Sequence, residues 1–131
     1  MRNVFLSYAQ SDAKWARELA SLLKSRGLSV WNDAEIAPGQ NWWKETGKAL
    51  SNADAMVVLL SPDAVKSNNV QREIDFALSQ PRFKNRLIPV VMRPTRDIPW
   101  ILEELQMIVA TPRGRPAAYR QVAQQLLATV E

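Results

Sequence analysis

Ala55-Met56-Val57-Val58-Leu59-Leu60, closed by Ser61-Pro62, is the stretch on which the fold turns. Six consecutive apolar residues ending in a turn signal read as a strand buried on both faces. A strand with no polar alternation belongs at the centre of a parallel sheet covered by helices on either side. Its flanks must then supply those helices, and they do.

Working toward the N-terminus, Trp42 to Asn52 reads as a helix weakened by Gly47. A loop from Asp33 to Asn41, broken by Pro38 and Gly39, separates it from the strand Leu28-Ser29-Val30-Trp31. Trp15, Leu19, Leu22 and Leu23 fall at helical spacing, with Ser11 or Asp12 as the expected N-cap and Gly27 as the stop. Asn3-Val4-Phe5-Leu6-Ser7-Tyr8 reads as the first strand. Toward the C-terminus come a helix carrying Glu73, Ile74, Ala77 and Leu78, the strand Arg86 to Met92, and a short turn around Trp100 to Leu105. A last strand, Met107 to Ala110, and a helix from Pro116 to Val130 finish the chain. Pro89 removes a ladder donor from its strand, which should therefore be short or near an edge. Alternating strands and helices imply right-handed crossovers and an α/β fold with a five-stranded parallel sheet.

The 131 residues read as a single domain, 1–131, long enough to bury a core without staples. The chain has no cysteine and no histidine, which excludes disulfides, a thiol nucleophile and the usual transition-metal ligands. No Asp/Glu cluster suggests magnesium, so no metal and no cofactor are expected. The net charge of +4 is carried by scattered residues such as Lys14, Arg17, Lys24, Lys48 and Arg72. That pattern reads as a solvated surface rather than a nucleic-acid stripe. No apolar run reaches membrane-spanning length and no signal peptide is visible, so a cytoplasmic location without nucleic-acid or membrane partners is expected.

Without histidine or cysteine, any acid–base or electrostatic chemistry falls to carboxylates and hydroxyls. Glu73, in Val70-Gln71-Arg72-Glu73-Ile74, stands one turn into its helix, near the carboxyl edge of the sheet where open α/β folds place their chemistry. The plainer reading is a helix-start glutamate complementing the macrodipole. Three familiar sites fail. The turn after the first strand, Ser7-Tyr8-Ala9-Gln10-Ser11-Asp12, has no glycine, which removes both a dinucleotide fingerprint and a P-loop. A phospho-acceptor domain needs an Asp where the third strand here ends in Ser61-Pro62.

The same residues resemble Toll/interleukin-1 receptor (TIR) domains, most of all the bacterial type. Phe5-Leu6-Ser7-Tyr8 is similar to their first box. Gly27 to Asp33 followed by Ile36-Ala37-Pro38-Gly39-Gln40-Asn41-Trp42 looks like their second strand and BB loop. Leu60-Ser61-Pro62 with Glu73 downstream resembles the segment that bears the catalytic glutamate of enzymatic members. The resemblance spans the whole chain and departs at Asn69, near which many active members carry a tryptophan.

The resemblance implies a flavodoxin-like three-layer fold and one of two activities. One is an NAD+ nucleosidase, cleaving the nicotinamide–ribose bond to give nicotinamide and ADP-ribose or a cyclic isomer, in bacterial immune signalling. The other is a non-catalytic scaffold assembling through the same loops. A deoxyribosyltransferase-like enzyme is a third reading, disfavoured because no second carboxylate stands near. Nicotinamide leaves NAD+ without needing a proton, so one carboxylate beside the developing ribosyl cation suffices in principle. Glu73 takes that catalytic role. Ser7, Tyr8, Asp33 and Trp42 are candidates for substrate binding, though Ser7 equally suits a backbone partner, Asp33 an Asx-turn and Trp42 a packing anchor. Trp43 reads as core or surface. Ile36, Pro38 and Gly39 of the BB loop are candidates for TIR–TIR self-association. The domain is expected to associate weakly on its own and to suit a place within a larger receptor or defence protein.

Overall fold

Strand β3 (Ala55–Leu60) lies in the middle of a five-stranded, wholly parallel sheet, and every one of its residues is buried. The structure, a computed structural model, describes residues 3–31, 42–110 and 112–129. β1 (Asn3–Ser7) and β4 (Leu87–Val91) flank β3, and β2 (Ser29–Trp31) and β5 (Ile108–Val109) form the edges, in the order β2-β1-β3-β4-β5. This is the flavodoxin-like arrangement expected. The chain reverses its direction of winding between β1 and β3, and the crevice above that point is where such sheets take ligands.

Period-two alternation divides the sheet's side chains between two apolar layers. Val4, Leu6, Ala55, Val57 and Leu59 pack against α1 (Ala13–Ser25) and α6 (Arg115–Thr129). Phe5, Met56, Val58 and Leu60 face α2 (Trp42–Asn52) and α4 (Asn68–Ser79). Two short helices, α3 (Pro62–Lys66) and α5 (Trp100–Glu103), complete the set.

Local chemistry sets the ends. Gly27, at φ +87°, closes α1 in a Schellman motif: its N–H donates to the Lys24 carbonyl while the Leu28 N–H donates to that of Leu23. The helix anticipated after β3 is two helices. Ser61 caps α3, accepting from the Ala64 N–H with Pro62 in the first turn, and Ser67 breaks the chain again to cap α4 by accepting from the Val70 N–H.

Pro89 sits in a five-residue strand adjacent to an edge. The Met92 N–H reaches the Leu60 carbonyl of β3, whereas the Val91 carbonyl accepts from Ala110 on the β5 side. Pro89 shares the parity of Val91, so its missing donor points toward β5, which pairs only from Val90 onward. No ladder bond is lost there.

Candidate functional site

At the carboxyl end of β1, Ser7 continues the row of Phe5 and so faces the α2/α4 layer. Glu73 comes down from α4 to meet it. The Ser7 hydroxyl donates to Glu73 Oε1 at 2.6 Å, with Ser7 buried and Glu73 only 7% exposed. Neither residue is local to the other, since 66 positions separate them. A carboxylate held this way keeps one rotamer and presents its charge in a largely desolvated setting, where electrostatic effects are strong.

The position of Glu73 corrects one expectation. α4 starts at Asn68, so Glu73 is the sixth helical residue and no acidic residue occupies the first turn. The macrodipole's influence fades within that first turn. Complementing the dipole therefore does not account for a buried glutamate here, whereas the bond from Ser7 helps hold it.

A second polar cluster tops the sheet. Asp12 is buried and takes the Ser61 hydroxyl on Oδ2 at 2.5 Å and Arg93 Nη2 on Oδ1 at 3.2 Å. Asp12 stands at the N-cap position of α1, yet its side chain makes no cap bond, and its φ of −99° and ψ of 10° lie outside the extended region that capping needs. The N-cap expected of Asp12 is thus replaced by a tertiary role, and Ser11 donates instead to Asp63 at 2.6 Å. Arg93 and Arg115 lie 5.0 and 4.4 Å from the Trp15 ring. Sequence reading missed this cluster. Ser61 before Pro62 did carry a readable capping signal, but nothing local links Asp12 to Arg93.

The other anticipated residues are placed less closely. The half-buried Tyr8 packs against the α1/α6 layer, the opposite side from Ser7. Asn69 is exposed on the first turn of α4. Asp33, Ile36, Pro38 and Gly39 lie outside the described residues, and of Trp42 and Trp43 only the helical backbone is described. Among the described residues no three Asp, Glu, His or Cys side chains gather to hold a metal ion, and no helix is long and apolar enough to cross a membrane.

Comparison with known proteins bears on this geometry. Residues 4–127 match the family model of the TIR domain. The 2′ cyclic ADP-D-ribose synthase BtTIR of Bacteroides thetaiotaomicron is 31% identical over 96 residues, covering 71% of this chain and 33% of that protein. The NAD(+) hydrolase PdTIR of Paracoccus denitrificans (strain Pd 1222) is 28% identical over 99 residues, covering 72% and 33%. The aligned part thus spans 33% of the length of each of these two curated relatives. The crystal structure of the TIR domain of the Toll-related receptor TRR-2 from Hydra magnipapillata matches with a TM-score of 0.78 at 23% identity, covering 95% of this chain and 97% of that one. That likeness concerns the fold.

Proposed function

The chain belongs to the TIR domain family, and on that premise we propose that it cleaves the nicotinamide–ribose bond of NAD+, with Glu73 as its charge-stabilising carboxylate. The observation that carries this reading is the buried Ser7–Glu73 pair at the carboxyl edge of the sheet. Two relatives support the substrate: one is named as a cyclic ADP-ribose synthase and the other as an NAD+ hydrolase.

The chemistry asks little of the protein. The bond to nicotinamide breaks with its electron pair going to the ring nitrogen, so a neutral base departs and needs no general acid. Positive charge gathers on the ribose, and the carboxylate of Glu73 lowers the energy of that state. Attack by water gives ADP-ribose and a proton; attack by a hydroxyl of the same molecule gives a cyclic isomer and likewise releases a proton. Ser7 holds the carboxylate, and Asp33 and Trp42 are assigned to substrate binding, whereas Tyr8, packed on the opposite layer, reaches the site only from the sheet's edge. Ile36, Pro38 and Gly39 join one copy to the next. In this reading the domain works in the cytoplasm, as the effector of an immune signalling assembly. Product analysis by mass spectrometry, on wild type and Glu73→Ala at high protein concentration, tests it.

A scaffold role is the second reading, favoured by two exposed apolar side chains, Trp100 of α5 at 71% and Val109 of β5 at 60%. Partner binding that survives Glu73→Ala, with NAD+ untouched by wild type, would select it.

A further inference from the structure

Five described polar residues are buried: Ser7, Asp12, Thr46, Ser61 and Glu73. Four of them pair with one another, Ser7 with Glu73 and Asp12 with Ser61. Thr46 differs. It is 3% exposed, and its hydroxyl finds no hydrogen-bond partner among the described residues. The other buried atom without a partner, Arg115 Nε, belongs to a guanidinium stacked over Trp15. A buried hydroxyl left unpaired is destabilising, and natural cores seldom keep one without a use.

The placement of Thr46 suggests that use. Thr46 and Leu50 fall at i and i+4 on the face by which α2 packs on the sheet, and Leu50, with Ala53 just past the helix end, fills it with apolar side chains. The Asn3 side chain donates to the Asn52 carbonyl, which sets the end of α2 level with the start of β1. Thr46 is six residues back along a helix running antiparallel to β1, a rise of about 9 Å. Along β1 the same distance is about three residues, which brings Thr46 level with the Phe5–Ser7 end of the strand. Helical side chains also lean toward the helix N-terminus, here toward the carboxyl edge. Three elements thus set Ser7, Glu73 and Thr46 at the top of one layer, where the rest of that layer is apolar.

We infer that Thr46 is a substrate-positioning residue whose hydroxyl pairs with a ribose hydroxyl of NAD+ beside Glu73. The inference rests on the proposed NAD+ reading and deepens it. A ribose carries neighbouring hydroxyls, so one can donate to the Glu73 carboxylate while the next accepts a hydrogen bond from the Thr46 hydroxyl. The threonine oxygen is closed to solvent in this state, so the groups that cover it must shift as substrate enters.

Thr46→Val keeps the shape and removes the hydroxyl, so a structural and a functional role give opposite readouts. The expected result is a higher Tm, because an unpaired polar group is gone, together with a KM for NAD+ raised roughly tenfold, the loss of about one hydrogen bond. Thr46→Ser should keep KM within about threefold of wild type, since the donor is retained. Calorimetric titration of NAD+ into Glu73→Gln, with and without Thr46→Val, separates this inference from the catalytic reading. A weakening of roughly tenfold by Thr46→Val supports it even where wild type turns over no NAD+. Equal affinities, absence of binding in both proteins, or an unchanged KM in Thr46→Val overturns it.

Discussion

The Asp12 carboxylate joins the ends of three strands: it receives Ser61 from the end of β3 and Arg93 from beyond β4, having itself just left β1. Its side chain is fully buried, whereas that of Arg93 is 45% exposed. Arg93 is therefore the unusual surface residue whose loss matters, because it leaves a buried carboxylate with a hydroxyl but no counter-charge. Arg93→Ala should destabilise by about 1–2 kcal/mol, beyond the half kcal/mol typical of surface changes. Asp12→Asn in the same protein should recover part of that loss. Urea unfolding of both single variants and the double variant measures the coupling, and purely additive effects would refute it.

Glu73→Gln keeps the shape and the hydrogen-bonding capacity while removing the charge. The rate of NAD+ cleavage should fall by roughly two or more orders of magnitude, the scale of losing a key electrostatic stabiliser. With no histidine or cysteine in the chain, the pH profile of the wild-type rate should show no limb from either. Near-normal turnover in correctly folded Glu73→Gln would move the chemistry elsewhere.

Tyr119 supplies a stability signal at high pH. Burial pushes its phenol up from 10.0 to about 12, against the opposing pull of the Arg115 charge and with a small addition from Glu18. Its hydroxyl donates to the Trp15 carbonyl at 3.2 Å. A raised acid favours the protonated folded state, so its contribution is whole below pH 10 and disappears as pH climbs toward about 12. Tyr119→Phe should flatten that part of the profile. Denaturant midpoints for the two proteins, compared from pH 9 to 12, provide the test, and parallel curves would count against it.

Gly47 occupies an exposed interior position of α2, and a Cβ built there meets nothing within 4 Å. Gly47→Ala should therefore stabilise by about 0.5–1 kcal/mol through backbone entropy alone. A lower Tm would mean that α2 depends on the glycine for something other than its helix.

Self-association predicts that specific activity rises with protein concentration, more steeply at low salt if charged patches guide the contact. Sedimentation and rate measured over the same dilution series should move together. A rate strictly proportional to enzyme across the range would exclude an assembled site.

The fold was legible because layers leave periodic marks. The six apolar residues of β3, the spacing of Leu19 and Leu23, and the stop at Gly27 all express forces acting within a few residues. What was hidden depends on contacts distant in sequence. Asp12 reads as a cap until Ser61, 49 positions away, claims it. Glu73 reads as a dipole partner until the break at Ser67 fixes where its helix begins. Thr46 looks like any helical threonine, and only burial reveals that its hydroxyl is unmatched. Strand ends read from the sequence run a residue or so past the paired strands, as at β1, β4 and β5, although Met92 and Ala110 just beyond them still donate to the neighbouring strand.

The edges of the sheet carry a consequence for how copies of this domain can meet. Among the described residues β2 and β5 pair over three and two residues, against five or six for the strands between them. A rim so abbreviated gives a neighbouring chain little main chain to zip against, which guards an apolar parallel sheet against amyloid-like growth. Copies that associate along such a rim would do so through side chains, which can be reversed, rather than through a shared ladder, which propagates.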